Sequence, residues 1–281
     1  MHSPLIPNIV LNDQSTMPAL GFGTYKLNGS EGVASIVSAI KAGYRMLDSA
    51  FKYENEGALG ESIVQSEISR EELYIISKLP GRHHRYNEAL YTIEESLYRM
   101  RLDYFDLYLI HWPIPRLGLY VDAWQALIEA KKRGLIRSIG VCNFLPEHLQ
   151  KLIDETGVTP VTNQVELHPY FPQQKLRDWH EEHGIVTQSW SPLGRASKVL
   201  QEPIITAISE KYGKTVPQVI LRWHLQLDAV PLPKSTSKER QLENLSIFDF
   251  ELTPDDMSAI CSLAKIDGRR QDRHPALHEE F

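Results

Sequence analysis

The chain is poor in cysteine, with only Cys142 and Cys261 among its 281 residues. Two cysteines are too few for a disulfide framework, so their scarcity favours a protein that folds in a reducing compartment. No apolar run approaches the roughly 18 residues that a membrane span requires, and the N-terminal residues lack the basic and apolar segments of a signal peptide. We therefore expect a cytoplasmic protein that does not bind membranes.

The chain also lacks an excess of positive charge. Its formal net charge is -6, and no block of basic residues occurs anywhere along it. Nucleic-acid-binding proteins need such a basic surface, so this class of function is disfavoured. Hydrophobic residues make up 42% of the chain and charged residues 23%, as in ordinary globular proteins. We expect a single domain over residues 1–281 that acts on a small molecule.

Short apolar segments alternate with longer segments of helical periodicity. Eight of the short segments lack polar alternation, which is typical of parallel strands buried on both faces. They are residues 44–48, 73–78, 106–111, 136–142, 162–166, 185–190, 229–233 and 245–250. Eight strands with intervening helices over about 250 residues predict an α/β protein with a (β/α)8 TIM barrel. A doubly wound open sheet has the same periodicity and is the alternative.

The two ends of the chain fall outside this repeating pattern. Residues 8–13 and 16–23 read as an N-terminal β-hairpin, which we expect to close the bottom of the barrel. GFGT at 21–24 lacks the third glycine of the dinucleotide-binding motif G-x-G-x-x-G, because position 26 is lysine. The last 14 residues are polar and irregular, so they are predicted to form a surface tail.

Three consecutive predicted strands end in titratable side chains, namely Asp48, Lys78 and His111. The active sites of such barrels lie at the carboxyl ends of the strands, so these groups should meet there, and Tyr53 follows the first of them closely. A lysine cation about 4 Å from a tyrosine would favour the tyrosinate by roughly 4 kcal/mol at an effective dielectric near 20. Asp48 would supply the counter-charge of Lys78, and a neutral His111 could donate a hydrogen bond.

Such a pocket suits a carbonyl oxygen that gains negative charge during a reaction. The competing interpretation is structural: a single Asp–Lys pair near a strand end usually stabilises the fold, and a single tyrosine usually packs. Four chemically compatible groups at successive strand ends favour a catalytic role.

Seven segments carry these residues in order and at consistent intervals. They are GYRMLDSAFKYENE (43–56), ISKL (76–79), LIHWP (109–113), GVCNF (140–144), NQVELHP (163–169), SWSPLG (189–194) and PKSTSKERQLENLSIFDFEL (233–252). This set resembles the aldo-keto reductase superfamily, over nearly the whole chain. Within that superfamily it is most similar to the bacterial 2,5-diketo-D-gluconate reductase branch, partly because Trp190 stands where many relatives have tyrosine.

The resemblance implies NADPH-dependent reduction of aldehydes and ketones to alcohols by a monomeric enzyme. Its expected substrates are small dicarbonyls, aromatic aldehydes and keto sugar acids. Tyr53 would be the proton donor, Lys78 paired with Asp48 would lower the pKa of Tyr53, and His111 would orient the carbonyl. Residues matching the family's substrate pocket are Tyr25, Phe51, His111 and Trp112.

The resemblance also implies a set of NADPH-binding residues. They are Gly23, Thr24, Cys142, Asn143, Gln164, Trp190, Ser191, Leu193, Lys234, Ser235, Thr236, Ser237, Arg240, Glu243 and Asn244. Amide side chains suit the nicotinamide carboxamide, an indole offers a stacking face, and cations suit the adenosine 2′-phosphate. Cys142 departs from the family's usual serine and is a weaker hydrogen-bond donor.

Two other functions compete with this interpretation. A cofactor-binding regulatory subunit could use the same barrel, although the intact set of four polar residues argues against it. A metal-dependent hydrolase could use His111, His168 and a carboxylate, but no paired-histidine metal spacing occurs on a predicted helix or strand. We therefore predict no metal site.

Overall fold

The computed structural model describes residues 6–195, 198–266, 268–270 and 273–280. It begins with the predicted hairpin, in which β1 (Asn8–Val10) pairs antiparallel with β2 (Thr16–Pro18). A turn at residues 11–15 connects the two strands, and the backbone N–H of Leu11 donates to the Ser15 carbonyl at 2.9 Å. The hairpin stands apart from the main sheet, to which neither strand belongs.

Eight parallel strands form one sheet in which neighbours follow the order of the chain. They are β3 (Phe22–Gly23), β4 (Met46–Asp48), β5 (Tyr74–Leu79), β6 (Phe105–Ile110), β7 (Ile136–Cys142), β8 (Thr162–Glu166), β9 (Val186–Trp190) and β10 (Ala229–Pro231). Two backbone hydrogen bonds join the first strand region to the last, from Gly21 to Pro231 at 3.1 Å and from Gly23 to Pro233 at 3.0 Å. The sheet thus closes on itself, which confirms the predicted barrel.

The series of strands is shifted by one position from the prediction. Phe22–Gly23 is the first barrel strand and pairs with β4, whereas the sequence assigned these residues to the hairpin. The predicted strand at 245–250 is wrong, because a helix ends at Leu245 and the following residues form no strand. Ile247 is fully buried in the main core cluster, so the apolar pattern of this segment reflects packing against that core.

Helices surround the barrel, and ten occur within the described residues. They are α1 (Gly29–Ala42), α2 (Glu56–Ser66), α3 (Tyr86–Met100), α4 (Tyr120–Lys132), α5 (Pro146–Thr156), α6 (Gln174–Glu182), α7 (Pro203–Tyr212), α8 (Val216–Gln226), α9 (Lys238–Leu245) and α10 (Pro254–Cys261). Local sequence sets their ends: Thr215 caps α8 by accepting from the Gln218 N–H, and Pro217 lies in its first turn. None is long and apolar enough to cross a membrane.

The hairpin contributes to the core at one end of the barrel. Leu11 and Met17 are buried in a cluster with strand residues such as Leu107 and Val230. The side chain of Asn12 donates to the carbonyl of Pro160, just before β8, at 3.0 Å. These contacts place the hairpin at the amino ends of the strands, where it closes the bottom of the barrel as predicted.

The C-terminal residues 273–280 do not form the predicted surface tail. Glu280 is 5% exposed, and the ring of His278 packs edge-on against Trp112 with centroids 4.3 Å apart. Glu279 pairs with Arg116, and one of the two contacts measures 2.8 Å. The segment therefore returns to the barrel on the side where the strands end, a packing that its irregular polar sequence did not indicate.

Candidate active site

A cavity of about 860 Å³ opens at the carboxyl ends of the strands. One part is lined by Asp48, Tyr53 and His111, whose chain positions are the end of β4, the turn after it and the residue after β6. The barrel thus brings together groups that lie far apart in sequence, because parallel strands end on the same side. These three side chains therefore lie together, as expected from the sequence.

Lys78 forms a buried ion pair with Asp48. Its Nζ lies 2.8 and 2.7 Å from the two carboxylate oxygens and also donates to the Ser49 carbonyl at 2.6 Å. The lysine is fully buried and does not itself line the cavity. Burial lowers the pKa of Lys78, but the attraction of Asp48 outweighs this effect and holds the net pKa above its ordinary value. Lys78 is therefore a permanent cation at neutral pH.

Tyr53 lies directly over this ion pair. The Nζ of Lys78 is 5.0 Å from the centroid of the Tyr53 ring, and the rings of Tyr25 and His111 contact it edge-on, with centroids 4.9 and 5.8 Å away. Tyr53 keeps part of its surface open to the cavity. Desolvation of the remainder raises its pKa and exceeds the lowering by Lys78. The net direction is opposite to the lowering expected from the sequence, so Tyr53 holds its proton across neutral pH.

A hydrogen-bonded chain fixes the cavity wall beside His111. The Asn143 amide donates to the His111 carbonyl at 3.0 Å and accepts from the Trp190 indole N–H at 2.9 Å. Asn143 adopts a left-handed backbone conformation, with φ of 60°, which asparagine tolerates better than most residues. Trp190 is partly exposed and lines the cavity, so its ring is held in place by its edge.

Gln164 and Cys142 form the floor next to the ion pair. Gln164 donates to Asp48 at 3.0 Å and to the Gln188 side-chain oxygen at 3.1 Å, so the Asp48 carboxylate is held by Gln164 as well as by Lys78. Cys142 is fully buried, and burial raises the pKa of its thiol well above the ordinary value. A thiol held neutral in this way does not act as a nucleophile.

The other part of the cavity is polar and positively charged. It is lined by Lys234, Ser235, Thr236, Arg240, Glu243 and Asn244, from the segment after β10 and from α9. Burial together with repulsion by Lys26 and Arg195 lowers the pKa of Lys234, which indicates how closely these cations are gathered. A group of cations that repel one another favours the binding of an anion such as a phosphate.

Most of the residues singled out by sequence line this cavity; besides Lys78, three more lie outside the lining. Thr24 is fully buried, where its hydroxyl donates to the Asp48 carbonyl at 2.9 Å. Phe51 packs beneath the Arg99 guanidinium, 4.1 Å from its ring centroid. Ser237 caps α9 by accepting from the Arg240 N–H at 3.3 Å. Gly23, Tyr25, Trp112, Ser191 and Leu193 are in the lining, as expected.

The cavity also contains residues that the sequence did not single out. They are Lys26, Lys52, Pro192, Arg195, Leu200, Pro217, Leu232, Pro233, Arg273, His278, Glu279 and Glu280. Lys26 and Arg195 could have been found from the sequence, since each is a cation two residues after a predicted cofactor-binding residue, Thr24 and Leu193 respectively. Their charged groups lie 5.6 and 5.3 Å from the centroid of the Tyr25 ring. The tail residues carry no such signal.

The alternative of a metal-dependent hydrolase finds no support in the arrangement of ligands. Among the residues that the structure describes, no group of three or more His, Cys, Asp or Glu side chains could hold a metal ion. His168 contacts Glu166 at 3.1 Å, and neither residue lines the cavity. The pair is buried beside β8 and reads as structural.

Comparison with known proteins gives consistent matches over the whole chain. A family model described as the aldo/keto reductase family matches residues 19–265. The 2,5-diketo-D-gluconic acid reductase B of Corynebacterium sp. (strain SHS752001) is 52% identical over 99% of this chain and 100% of its own. Methylglyoxal reductase DkgA of Escherichia coli (strain K12) is 46% identical over 91% and 92% of the two chains.

The solved structures agree with these sequence matches. A variant of the protein Gox0644, solved in complex with NADPH, superposes with a TM-score of 0.93. It is 41% identical to this chain, and the match covers 98% of this chain and 99% of that one.

Proposed function

The chain belongs to the aldo/keto reductase family, and from this membership we propose that it reduces aldehydes and ketones to alcohols with NADPH. The observation that carries the proposal is the meeting of Asp48, Tyr53, Lys78 and His111 at one end of a single cavity whose other end is lined by cations. We also propose that residues 1–281 act as one domain, as a monomer and in the cytoplasm.

The donor set of the cavity fits NADPH. Lys234 and Arg240, with Ser235 between them in the chain, match the needs of a 2′-phosphate, which takes cations and a hydroxyl. Trp190 offers a flat face that its own N–H bond to Asn143 keeps in place. Gln164 uses its amide nitrogen within the protein, which leaves its oxygen for the carboxamide of the nicotinamide.

When bound, the nicotinamide would supply the hydride that attacks the carbonyl carbon. The chain's own residues act on the oxygen, which becomes an alkoxide as the hydride arrives. His111 would donate a hydrogen bond that holds the carbonyl in place, and Tyr53 would donate the proton that completes the alcohol. The packing of both rings edge-on, 5.8 Å apart, supports their acting on one atom.

The electrostatics of the pocket suit a proton donor. A raised pKa keeps Tyr53 protonated until the reaction, and the nearby Lys78 cation stabilises the tyrosinate that remains after transfer. Asp48 would then be a positioning residue, because it contacts Lys78 and holds that cation beneath the ring. The arrangement supports proton donation from a group that would be a poor acid in water.

The names of the relatives guide the choice of substrates. One relative is named for 2,5-diketo-D-gluconic acid and another for methylglyoxal. Both compounds carry two carbonyl groups, so we propose small dicarbonyls and keto sugar acids as substrates. Aromatic aldehydes are included because Tyr25 and Trp112 give the cavity an aromatic wall.

Oxidation of NADPH by the purified protein tests this function. Methylglyoxal, benzaldehyde and a diketo sugar acid are offered in turn, and loss of absorbance at the nicotinamide band is followed. We expect turnover with at least one of the three and much weaker turnover with NADH. Tight NADPH binding without turnover on any carbonyl would instead favour the cofactor-binding regulatory subunit.

A further inference from the structure

The C-terminal segment brings a carboxylate into the candidate active site. The side chain of Glu280 is 6% exposed, and its Oε1 lies 2.8 Å from the Nδ1 of His111. Nδ1 makes no hydrogen bond of regular geometry among the described residues. The contact is therefore one of charge and proximity, and Glu280 shares the cavity lining with Asp48 and Tyr53.

Glu280 is ionised at neutral pH. Burial raises its pKa, but His111, Lys52 and the backbone N–H of Gly81 outweigh this effect and lower it. The nearby His84 is buried and neutral, because burial lowers its pKa to about 4. The ring of His278, two residues before Glu280, also has a lowered pKa, from burial and adjacent cations.

The negative charge of Glu280 acts on Tyr53, the proposed proton donor, and on its surroundings. It contributes to raising the pKa of both Tyr53 and Cys142 by repelling the charged forms of these side chains. A substrate whose carbonyl oxygen contacts Tyr53 and His111 must also place the atoms bonded to its carbonyl carbon near the negative charge of Glu280. A second negative charge there would be repelled, since two like charges about 5 Å apart interact strongly at the low effective dielectric of a cavity.

We propose that Glu280 is a specificity-determining residue that excludes substrates with a carboxylate directly attached to the reacting carbonyl. Neutral carbonyls, and acids whose carboxylate lies further away, are accepted. This inference rests on the proposed reductase function and deepens it, because it separates 2-oxo acids from keto acids that react at a distant carbon. The neighbouring Glu279 also lines the cavity but does not share the role, since Arg116 neutralises it.

Two pairs of substrates measure this selection. Benzoylformate and its methyl ester differ by a charge next to the reacting ketone, whereas 4-formylbenzoate and its methyl ester differ by a charge across a benzene ring. For each pair the acid-to-ester ratio of kcat/KM is measured with saturating NADPH, in the wild-type protein, in Glu280→Gln and in the matched control Glu279→Gln. The ratios cancel changes in the enzyme that affect acid and ester alike.

We expect Glu280→Gln to raise the benzoylformate ratio by about tenfold or more and the formylbenzoate ratio by less than threefold. Glu279→Gln should move neither ratio by more than twofold. Glu280→Ala removes the charge together with the side chain and should raise the benzoylformate ratio as well, whatever it does to the esters. This second variant allows the same measurement if Glu280→Gln folds poorly.

A benzoylformate ratio that stays unchanged in both Glu280 variants would overturn the proposal, as would an equal rise in both ratios. These outcomes differ from a failure of the proposed function. If the wild-type protein binds NADPH but reduces none of these four compounds and none of methylglyoxal, benzaldehyde and the diketo sugar acid, the reductase function itself is overturned, and this inference with it.

Discussion

Each end of the barrel holds a lysine paired with an aspartate, and the shortest N–O distance is 2.7 Å in both pairs. At the bottom, Lys131 of α4 contacts Asp13 of the hairpin turn, and its side chain is 37% exposed. At the top, Lys78 contacts Asp48, and the lysine side chain is 0% exposed. Two ion pairs of equal length thus lie in very different surroundings.

Burial decides what each pair does. An exposed pair is screened by water and contributes little to stability, whereas a buried pair costs desolvation that its attraction only partly returns. The lower pair ties the hairpin to the barrel and can be lost at small cost. The upper pair adds little net stability to the fold, because desolvation offsets its attraction. Its position beneath Tyr53 suits it instead to stabilising the tyrosinate.

Removal of the lysine at each end should separate the two pairs most clearly. Lys78→Met leaves the Asp48 carboxylate buried without its cation, so we expect a loss of about 3–5 kcal/mol in unfolding free energy. We also expect at least a hundredfold fall in kcat, because Tyr53 loses the charge that stabilises its tyrosinate. Denaturant unfolding and the NADPH assay measure the two effects.

Lys131→Met is the matched control at the bottom of the barrel. It should cost about 1 kcal/mol or less and leave kcat within twofold, since this pair is partly exposed and far from the cavity. Equal losses of stability in the two variants would mean that burial does not distinguish the pairs.

Arg240→Ala should have the second largest effect, and it should change only cofactor binding at the top of the barrel. Loss of a charge-assisted contact to the 2′-phosphate predicts a 10- to 100-fold weaker affinity for NADPH, with affinity for NADH nearly unchanged. Lys238→Ala removes a cation from the same helix outside the cavity lining and serves as the control. Titration of both cofactors by fluorescence gives the comparison, and equal weakening of NADPH and NADH would refute the assignment.

Asp13→Asn should have the smallest effect and should depend on pH. Burial alone would raise the pKa of Asp13, but hydrogen bonds from Lys131, Ser15 and Ser138 lower it from 3.8 to about 2. A carboxylate with a lowered pKa stabilises the folded state above its unfolded pKa, and this contribution fades as the pH falls from about 4 to about 2.

We therefore expect the variant to lose about 1 kcal/mol at pH 7, after allowance for partial exposure of the pair. The difference from the wild-type protein should shrink towards zero near pH 2, and kcat should not change. A constant difference at all pH values would show that the lost hydrogen bonds act independently of charge.

The sequence predicted the residues that meet at the top of the barrel better than it predicted the first and last strands. Asp48, Lys78 and His111 could be placed together because each closes a strand, and parallel strands end on the same side. Phe22–Gly23 is only two residues long, too short for a periodic pattern, so the first barrel strand was merged with the hairpin. Residues 245–250 have the apolar content of a strand because they pack on the core after α9.

The direction of the Tyr53 pKa shift and the position of the C-terminal segment could not be predicted from the sequence for a different reason. The net pKa shift of Tyr53 depends on a balance between desolvation and Lys78, which only three-dimensional packing sets. Glu280 lies 169 positions from His111 along the chain, and no strand or helix among the described residues of the tail determines its position. Its placement follows from contacts of single side chains, such as the packing of His278 on Trp112.

Turnover by Tyr53→Phe tests the central claim most directly, because this change removes one hydroxyl group and leaves the ion pair beneath it. NADPH binding is measured by fluorescence and carbonyl reduction by NADPH oxidation in the same preparation. The account predicts NADPH affinity within about twofold of the wild-type protein and a fall in kcat of about a thousandfold. A variant that binds NADPH and keeps more than about a tenth of the wild-type kcat would contradict Tyr53 as the proton donor.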